Sequence, residues 1–333
     1  MKTPLNRRIP ILILADCEPD SRHTIPGHLE RWIGYERLYE FLSLWREKIA
    51  ELTQAPARFS WFWRMDPQIE VTYGDVSWPT RIYAPQIAQS ERWGDDIGLH
   101  THAWRWDSGL DRWIADHGDP AWVELCLRKS FAAFKRSLGR PCRIFRFGDG
   151  WLDSASVRLI EELGVHIDLT LEPGHGATPS LVRSELTTGL IPDRRSVPRY
   201  PYHPSSTDFR AIDQSGQSKL WMFPVTTGRL PWHALSLRPH NIVTRLAAPH
   251  RFTLQLNLGL GPEQFRLLFE QAASLKQNSY IAICVRTDVG SNIGLLKNVE
   301  ENLGHILGHP LADQFVFTTP TDAIVQLHDQ PYS

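Results

Sequence analysis

The sequence is short of the features that assign a class at a glance. Only four of its 333 residues are cysteine. None of Cys17, Cys126, Cys142 and Cys284 stands in a C-x-x-C pair, so neither a zinc ribbon nor a disulfide framework is encoded. Charge of one sign is lacking too: 36 Lys+Arg against 37 Asp+Glu leave a net charge of −1. That removes the basic field a nucleic-acid or anionic-membrane partner requires. No apolar stretch approaches the roughly 18 residues of a spanning helix, and there is neither an internal repeat nor a low-complexity tract. What is present is an ordinary globular balance, 42% hydrophobic and 22% charged, with an unusual 13 tryptophans and 24 prolines. A chain of this length can bury a large core without staples, as about two domains or as one barrel.

The N-terminus imitates a secretion signal: Lys2, Arg7 and Arg8 precede the apolar run from Ile9 to Ala15. That run is at the lower length limit of a signal core, and it ends in Asp16 where a small neutral residue is needed. It reads better as a buried first strand, and the protein is expected to be cytoplasmic. Beyond it, Ile33, Leu38, Phe41, Leu42 and Trp45 recur at helical spacing. Strands are expected at 57–63, 96–102, 142–147, 165–171, 219–227, 280–285 and 316–319. Helices are expected at 122–138, from Asp153 to Gly164, at 261–275, at 295–307, and from Thr321. This alternation predicts a parallel α/β sheet, and the acids and histidines fall at strand ends, where barrels build their sites. The stretch from about 175 to 217 breaks the rhythm and reads as an insertion over the barrel mouth. The chain is therefore expected to be a single barrel domain with its core at about 9–327.

Four constellations carry chemistry. Asp16 and Glu18 follow the first strand two residues apart and so share a face, which suits a metal ligand beside a base. A solvated acidic loop is the plainer explanation of the same residues. His100 and His102 share a face at the end of the third strand, an arrangement that suits zinc, iron or nickel. Arg146, followed by Gly148-Asp149-Gly150, can hold a carboxylate ionised while the glycines serve a tight turn. Asp168, Thr170 and Glu172 alternate with apolar residues and are expected to line one inward face. Indoles suit the apolar face of a sugar ring, and Trp104 and Trp151 lie beside these motifs. The others (Trp61, Trp63, Trp78, Trp93, Trp106 and Trp113) are expected mostly in the core. Cys17 stands among acids, unlike the other three cysteines.

The order of these motifs resembles the polysaccharide deacetylase superfamily, the chitooligosaccharide-deacetylase-like carbohydrate esterases. That resemblance spans Ile9 to Val325 and implies a distorted (β/α)7 TIM-like barrel with the long insertion over its C-terminal face. It implies Asp16 as general base, and Glu18, His100 and His102 as ligands of a divalent metal, zinc before nickel, cobalt or iron. Arg146 would pair with Asp16, and Asp168 would support the site. There are three departures. The family's second histidine follows the first by four positions, where this chain has Trp104, so His102 must serve. Cys17 replaces a common metal-binding aspartate. Arg286 stands where a late strand carries a catalytic histidine. A guanidinium cannot deprotonate at neutral pH, so Arg286 is expected to stabilise an oxyanion, leaving His175 and His203 as candidate acids.

The expected function is metal-dependent removal of an N- or O-acyl group from an amino sugar or glycan. Trp104, Trp151, Glu172, Tyr202 and His203 are expected to touch substrate. Two other readings stand open: a glycoside hydrolase working with two of Asp16, Glu18, Asp168 and Glu172, and an inactive saccharide-binding relative. A cytoplasmic location would suit a nucleotide- or lipid-linked sugar, with no nucleic acid and no transmembrane segment.

Overall fold

The computed structural model describes residues 8–180, 186–231, 251–274 and 280–328. In order these form β1 (Ile9–Cys17), α1 (Ile33–Thr53), β2 (Ser60–Arg64), α2 (Pro67–Tyr73), α3 (Trp78–Ile82), α4 (Ala84–Arg92) and β3 (Asp96–Thr101). There follow β4 (Trp104–Asp107), β5 (Arg112–Asp116), α5 (Pro120–Leu138), β6 (Ile144–Phe147), α6 (Ser154–Glu162), β7 (Ile167–Asp168) and β8 (Leu186–Thr188). The last elements are β9 (Trp221–Met222), β10 (Thr227–Pro231), β11 (Arg251–Gln255), α7 (Pro262–Ser274), β12 (Ile281–Arg286), α8 (Ile293–Leu307), β13 (Phe315–Phe317) and α9 (Pro320–His328). No described helix is long and apolar enough to cross a membrane.

The main sheet runs β12-β1-β2-β3-β6-β7-β9, all parallel, with β13 added beside the start of β1. It curls into the expected distorted barrel. Irregular backbone joins its two edges: Thr226 N–H donates to Ala282 O, Cys284 N–H to Leu256 O, and Leu258 N–H to Cys284 O. The side-chain period of a strand then sorts β1 into two faces. Ile11, Ile13, Ala15 and Cys17 pack outward with the α1 residues Leu38, Leu42 and Ile49. Leu12 and Leu14 pack inward with Phe62, Ile144, Ala282 and Cys284. Asp16 and Glu18 continue the inward parity past the last apolar layer, which opens them into the barrel mouth. Gly98 is the inward residue two before His100; a Cβ there would stand 2.7 Å from the Phe62 ring and 2.8 Å from Ile144.

Helix ends follow local chemistry. Asp119 caps α5 by accepting from Ala121 and Trp122 N–H, Pro120 sits in its first turn, and Gly139 closes it at φ 67°. Asp153 caps α6. The largest departures from expectation are additions. Three short helices fill the β2–β3 connection, and the β4–β5 hairpin rises from the end of β3 and pairs with β8. The expected strands at 165–171 and 219–227 shrink to two paired residues each. The insertion is tied down where it begins: Gly174 N–H donates to Arg194 O, and Arg194 N–H to His175 O. Its residues 181–185, and Leu275 at the end of the expected helix at 261–275, lie outside the described residues.

One close approach ties the first helix to the site. Gly34 of α1 lies against Gly290 in the turn after β12, where an added Cβ would stand 2.1 Å from Gly34 O. The same turn carries Thr287, whose Oγ1 accepts from Glu18 N–H at 3.0 Å. Because the clash is with backbone, no rotamer relieves it. Gly290→Ala is expected to cost about 2 kcal/mol or more, read as a lowered urea midpoint; an unchanged midpoint would show that α1 can slide freely.

Candidate metal centre

The inward positions at the ends of β1 and β3 bring Glu18, His100 and His102 together, all nearly inaccessible to solvent. The two Nε2 atoms are 2.9 Å apart, and they lie 3.6 Å and 3.5 Å from the Glu18 carboxylate oxygens. These separations match the span that two metal–ligand bonds of about 2.0–2.2 Å bridge. Among the described residues this is the one group of three or more His, Cys, Asp or Glu side chains that could hold a metal ion.

Tautomers strengthen the fit. His100 Nδ1 lies 2.8 Å from the Arg146 carbonyl, which can only accept, so Nδ1 carries the proton. His102 Nδ1 lies 3.2 Å from an Asp149 oxygen. Burial alone would raise Asp149, but the hydrogen bond from His102 and the charge of Arg22 hold it well below the ordinary carboxylate range, so it too accepts. Both Nε2 lone pairs therefore face the same point, together with a carboxylate. That arrangement is repulsive unless a proton or a cation lies between them, and it is the outer-shell pattern of metal-binding histidines. Burial works against the charged form of Glu18 as well, yet the Arg286 charge keeps its carboxyl well below the ordinary range. The donor set therefore fits a divalent cation.

Arginines brace this set. Arg64, buried at the end of β2, donates from Nη1 to Glu18 at 3.0 Å and from Nε to Asp66 at 2.8 Å. Asp66 in turn accepts the His102 N–H at 3.0 Å and caps α2. Asp149 also accepts from Trp104 Nε1 at 3.0 Å and pairs with Arg22. It sits between two glycines at φ 57°. Gly148 is required because a Cβ there would stand 2.2 Å from His102 Nε2. Sequence reasoning missed Arg64, Asp66, Arg22 and the role of Asp149. A charged residue closing the apolar strand Ser60–Arg64 was the available signal for the first.

Asp16 stands beside the ligands on the same inward row. Arg146 Nε donates to its two oxygens at 2.9 and 3.1 Å, while Nη1 donates to Leu169 O at 2.6 Å. Arg286 faces Asp16 in the β1–β12 register and holds Nε 3.4 Å from Glu18. Glu172 lies 4.0 Å from Arg146, 3.8 Å from His175 and 3.7 Å from Arg194, and accepts from Gln255 at 3.1 Å. Trp151 stacks flat on His117, at 5.2 Å and 8°, and donates to Leu190 O.

Several expectations are corrected. Ile167 and Leu169 belong to the inner apolar cluster, so Asp168 and Thr170 face the other way. Asp168 accepts from Thr170 N and Oγ1 at 3.0 and 2.7 Å instead of supporting the site. The chain leaves regular strand after Asp168, which turns Glu172 back to the mouth. Tyr202 is buried and donates to Phe209 O at 2.7 Å. His203 packs on Trp221 and meets Leu220 O at 2.9 Å, at the entry of β9 rather than at the strand ends. Neither has a contact with the ligand cluster among the described residues. Cys17 points outward into the core, and burial pushes its thiol up.

No protein-family model matches the chain, and no curated protein matches it. Solved structures do match. A protein of Parabacteroides distasonis assigned as a glycoside hydrolase/deacetylase superposes with a TM-score of 0.56 at 12% identity, covering 99% of this chain and 74% of that one. PuuE allantoinase gives 0.50 at 13% identity, covering 99% and 94%. A Pseudomonas aeruginosa PAO1 protein assigned as a polysaccharide deacetylase gives 0.49 at 13%, covering 99% and 95%. At these identities the likeness of the first two shows the fold alone: a distorted α/β barrel shared with a glycoside hydrolase/deacetylase and an allantoinase.

Asp168 provides a test of the corrected orientation. Burial pushes its carboxyl up to about 7. The folded state then binds a proton that the unfolded chain, at about 3.9, has released. Stability should fall as pH rises from about 4 to 7 and level off above. Asp168→Asn should flatten that slope, gaining up to about 2.5 kcal/mol relative to wild type at pH 8 compared with pH 5. Urea midpoints at the two pH values check it; parallel curves would mean that the carboxyl is ionised throughout.

Proposed function

We propose that this protein is a metal-dependent hydrolase that removes an N- or O-acyl group from an amino sugar or glycan. The observation that carries the reading is the convergence of Glu18, His100 and His102 beside the Asp16–Arg146 pair in the barrel mouth. A divalent cation held by those three, zinc by the two-imidazole, one-carboxylate set, supplies Lewis acidity and makes water acidic enough to lose a proton near neutral pH.

The chain's own groups do the rest. Arg146 fixes the Asp16 carboxylate through its Nε and anchors itself on the Leu169 carbonyl, so the base is oriented before substrate arrives. Asp16 takes the proton of the attacking water as its oxygen bonds to the acyl carbon. Arg286, with about 30% of its side chain exposed, opposes the negative charge that grows on the acyl oxygen. The bond to the sugar nitrogen or oxygen then breaks, and that atom takes up the proton that Asp16 accepted from the water. His175, partly exposed beside Glu172, is the histidine of the insertion placed near the mouth. Trp104 donates its N–H to Asp149 at 3.0 Å, packs beside the His102 ring and closes the wall behind them.

The two-carboxylate alternative keeps one pair, Asp16 and Glu172, both beside Arg146. Glu18 is spent on Arg64 and two imidazoles, and Asp168 faces away. Acetate release from N-acetylated saccharides is expected to need metal. Chelation should abolish it and zinc should restore it; turnover untouched by chelation would sink the ligand assignment. Asp16→Asn should lower kcat about 10²–10⁴-fold with metal content unchanged. His102→Ala should lose the metal itself, measured by elemental analysis of the purified protein.

A further inference from the structure

A cavity of about 630 Å³, lined by none of the residues of the metal centre, opens between β10, α7 and the segment that follows β9. Its walls are firmly built. Gly228 of β10 is pressed on α7, where an added Cβ would stand 2.6 Å from the Leu268 side chain. Gln271 of α7 clasps the Arg229 backbone with both amide atoms: its Oε1 accepts the Arg229 N–H at 3.0 Å, and its Nε2 donates to Arg229 O at 2.9 Å. The Tyr280 hydroxyl donates to Pro224 O, and Thr226 Oγ1 accepts the Ala282 N–H at 2.9 Å. Thr227 Oγ1 donates to Pro173 O at 2.6 Å and accepts from Arg199 Nη1 at 2.9 Å. The uncharged polar side chains of the lining are thus committed to protein partners.

What the lining leaves open is positive charge and apolar surface. Arg199 and Arg229 both line the cavity, and both are exposed. Arg199 spends Nη1 on Thr227, and no carboxylate compensates it: burial, then the like charge of Arg229, push its guanidinium below the ordinary range. The Arg229 guanidinium has no ion-pair partner among the described residues. The sequence supplies the reason. From 214 to 262 the chain has no Asp or Glu, yet it has Lys219, Arg229, Arg238, Arg245 and Arg251, in a protein whose net charge is −1. The stretch 275–279, which precedes Tyr280, has no acid either. The chain around the cavity therefore holds no carboxylate that could neutralise the pair.

This lining selects one chemistry. Two uncompensated guanidiniums facing one cavity call for an anion. Pro224, Val225, Pro231 and the Tyr280 ring offer the rest of the ligand no free hydrogen-bonding edge. A nucleobase or a sugar would lose its hydrogen bonds to water there without replacement, whereas a hydrocarbon loses none. A phosphate can present two negative charges to two cations, and a carboxylate only one.

We propose that this cavity binds an amphiphilic organic phosphate, its head between Arg199 and Arg229 and its hydrocarbon body on Pro224, Val225 and Tyr280. The site is separate from the metal centre, and the proposal stands whether or not the protein is a deacylase.

The full chain is titrated calorimetrically with hexyl phosphate, inorganic phosphate, hexanoate and uridine monophosphate. Hexyl phosphate should bind at least about tenfold more tightly than each of the others. Arg199→Ala and Arg229→Ala should each weaken it by about tenfold, and Arg229→Lys should recover part of the loss. Arg229→Ala removes an exposed side chain and leaves the Gln271 clasp, which is to backbone, in place, so lost binding there is not lost fold. His102→Ala should leave hexyl phosphate binding unchanged, which separates this cavity from a phosphate held at the metal centre. Failure of hexyl phosphate to bind overturns the proposal, as does equal or tighter binding of any of the other three. Binding that survives both arginine-to-alanine substitutions, or that His102→Ala abolishes, puts the phosphate elsewhere and overturns it as well.

Discussion

Two imidazole nitrogens, each on a ring whose proton is committed elsewhere, face one another across 2.9 Å with a carboxylate beside them. Most of the architecture of the mouth exists to hold that strained arrangement in place. The backbone carbonyl of Arg146 sets the His100 tautomer, and Asp149 sets that of His102. Gly148 leaves room for the second ring. Remove any of these and the lone pairs can turn away, because neutral imidazoles do not choose to point at each other. Bringing three donors out of water is costly, and the protein meets that cost with charge-assisted hydrogen bonds that water cannot disturb.

Arginine supplies most of that compensation. Arg64, Arg146, Arg22 and Arg286 each oppose a carboxylate in or next to the cluster. Their planar donors reach two partners at once, so each also joins separate parts of the chain. Arg64 links β1 to the start of α2, and Arg146 links β1 to the segment after β7. Glu18 and Asp149 are thereby kept ionised in an interior that would otherwise protonate them. A site wired this way is pre-organised, which is the condition for electrostatic catalysis in a low-dielectric cleft.

The strongly patterned parts of the fold were legible in advance. A continuous apolar run makes β1, a capped amphipathic stretch makes α5, and the strand-end acids and histidines do converge. The weakly patterned parts were not. Asp168, Thr170 and Glu172 alternate as a strand should, yet only two residues there pair as strand, and the parity turns over between Leu169 and Glu172. Alternation cannot reveal where a strand stops, so Asp168 looked inward when it faces the insertion side. Tyr202 and His203 looked like substrate contacts because the insertion is polar, whereas the backbone bridge to β9 buries Tyr202 and His203 packs on Trp221. The β4–β5 hairpin hid behind a run of tryptophans that suits a core equally well.

By itself the sequence determined the class of barrel and which side chains stand at the ends of β1, β3 and β6, since those follow from local periods of two and from the order of motifs. Only the tertiary structure decided that His102 completes the donor set, that Arg64 and Asp149 brace it, and that Asp168 does not. Those relations join residues 46 to 130 positions apart in the chain, as in Arg64–Glu18 and Arg146–Asp16. No local pattern encodes the distance between side chains on different strands; the curl of the sheet does.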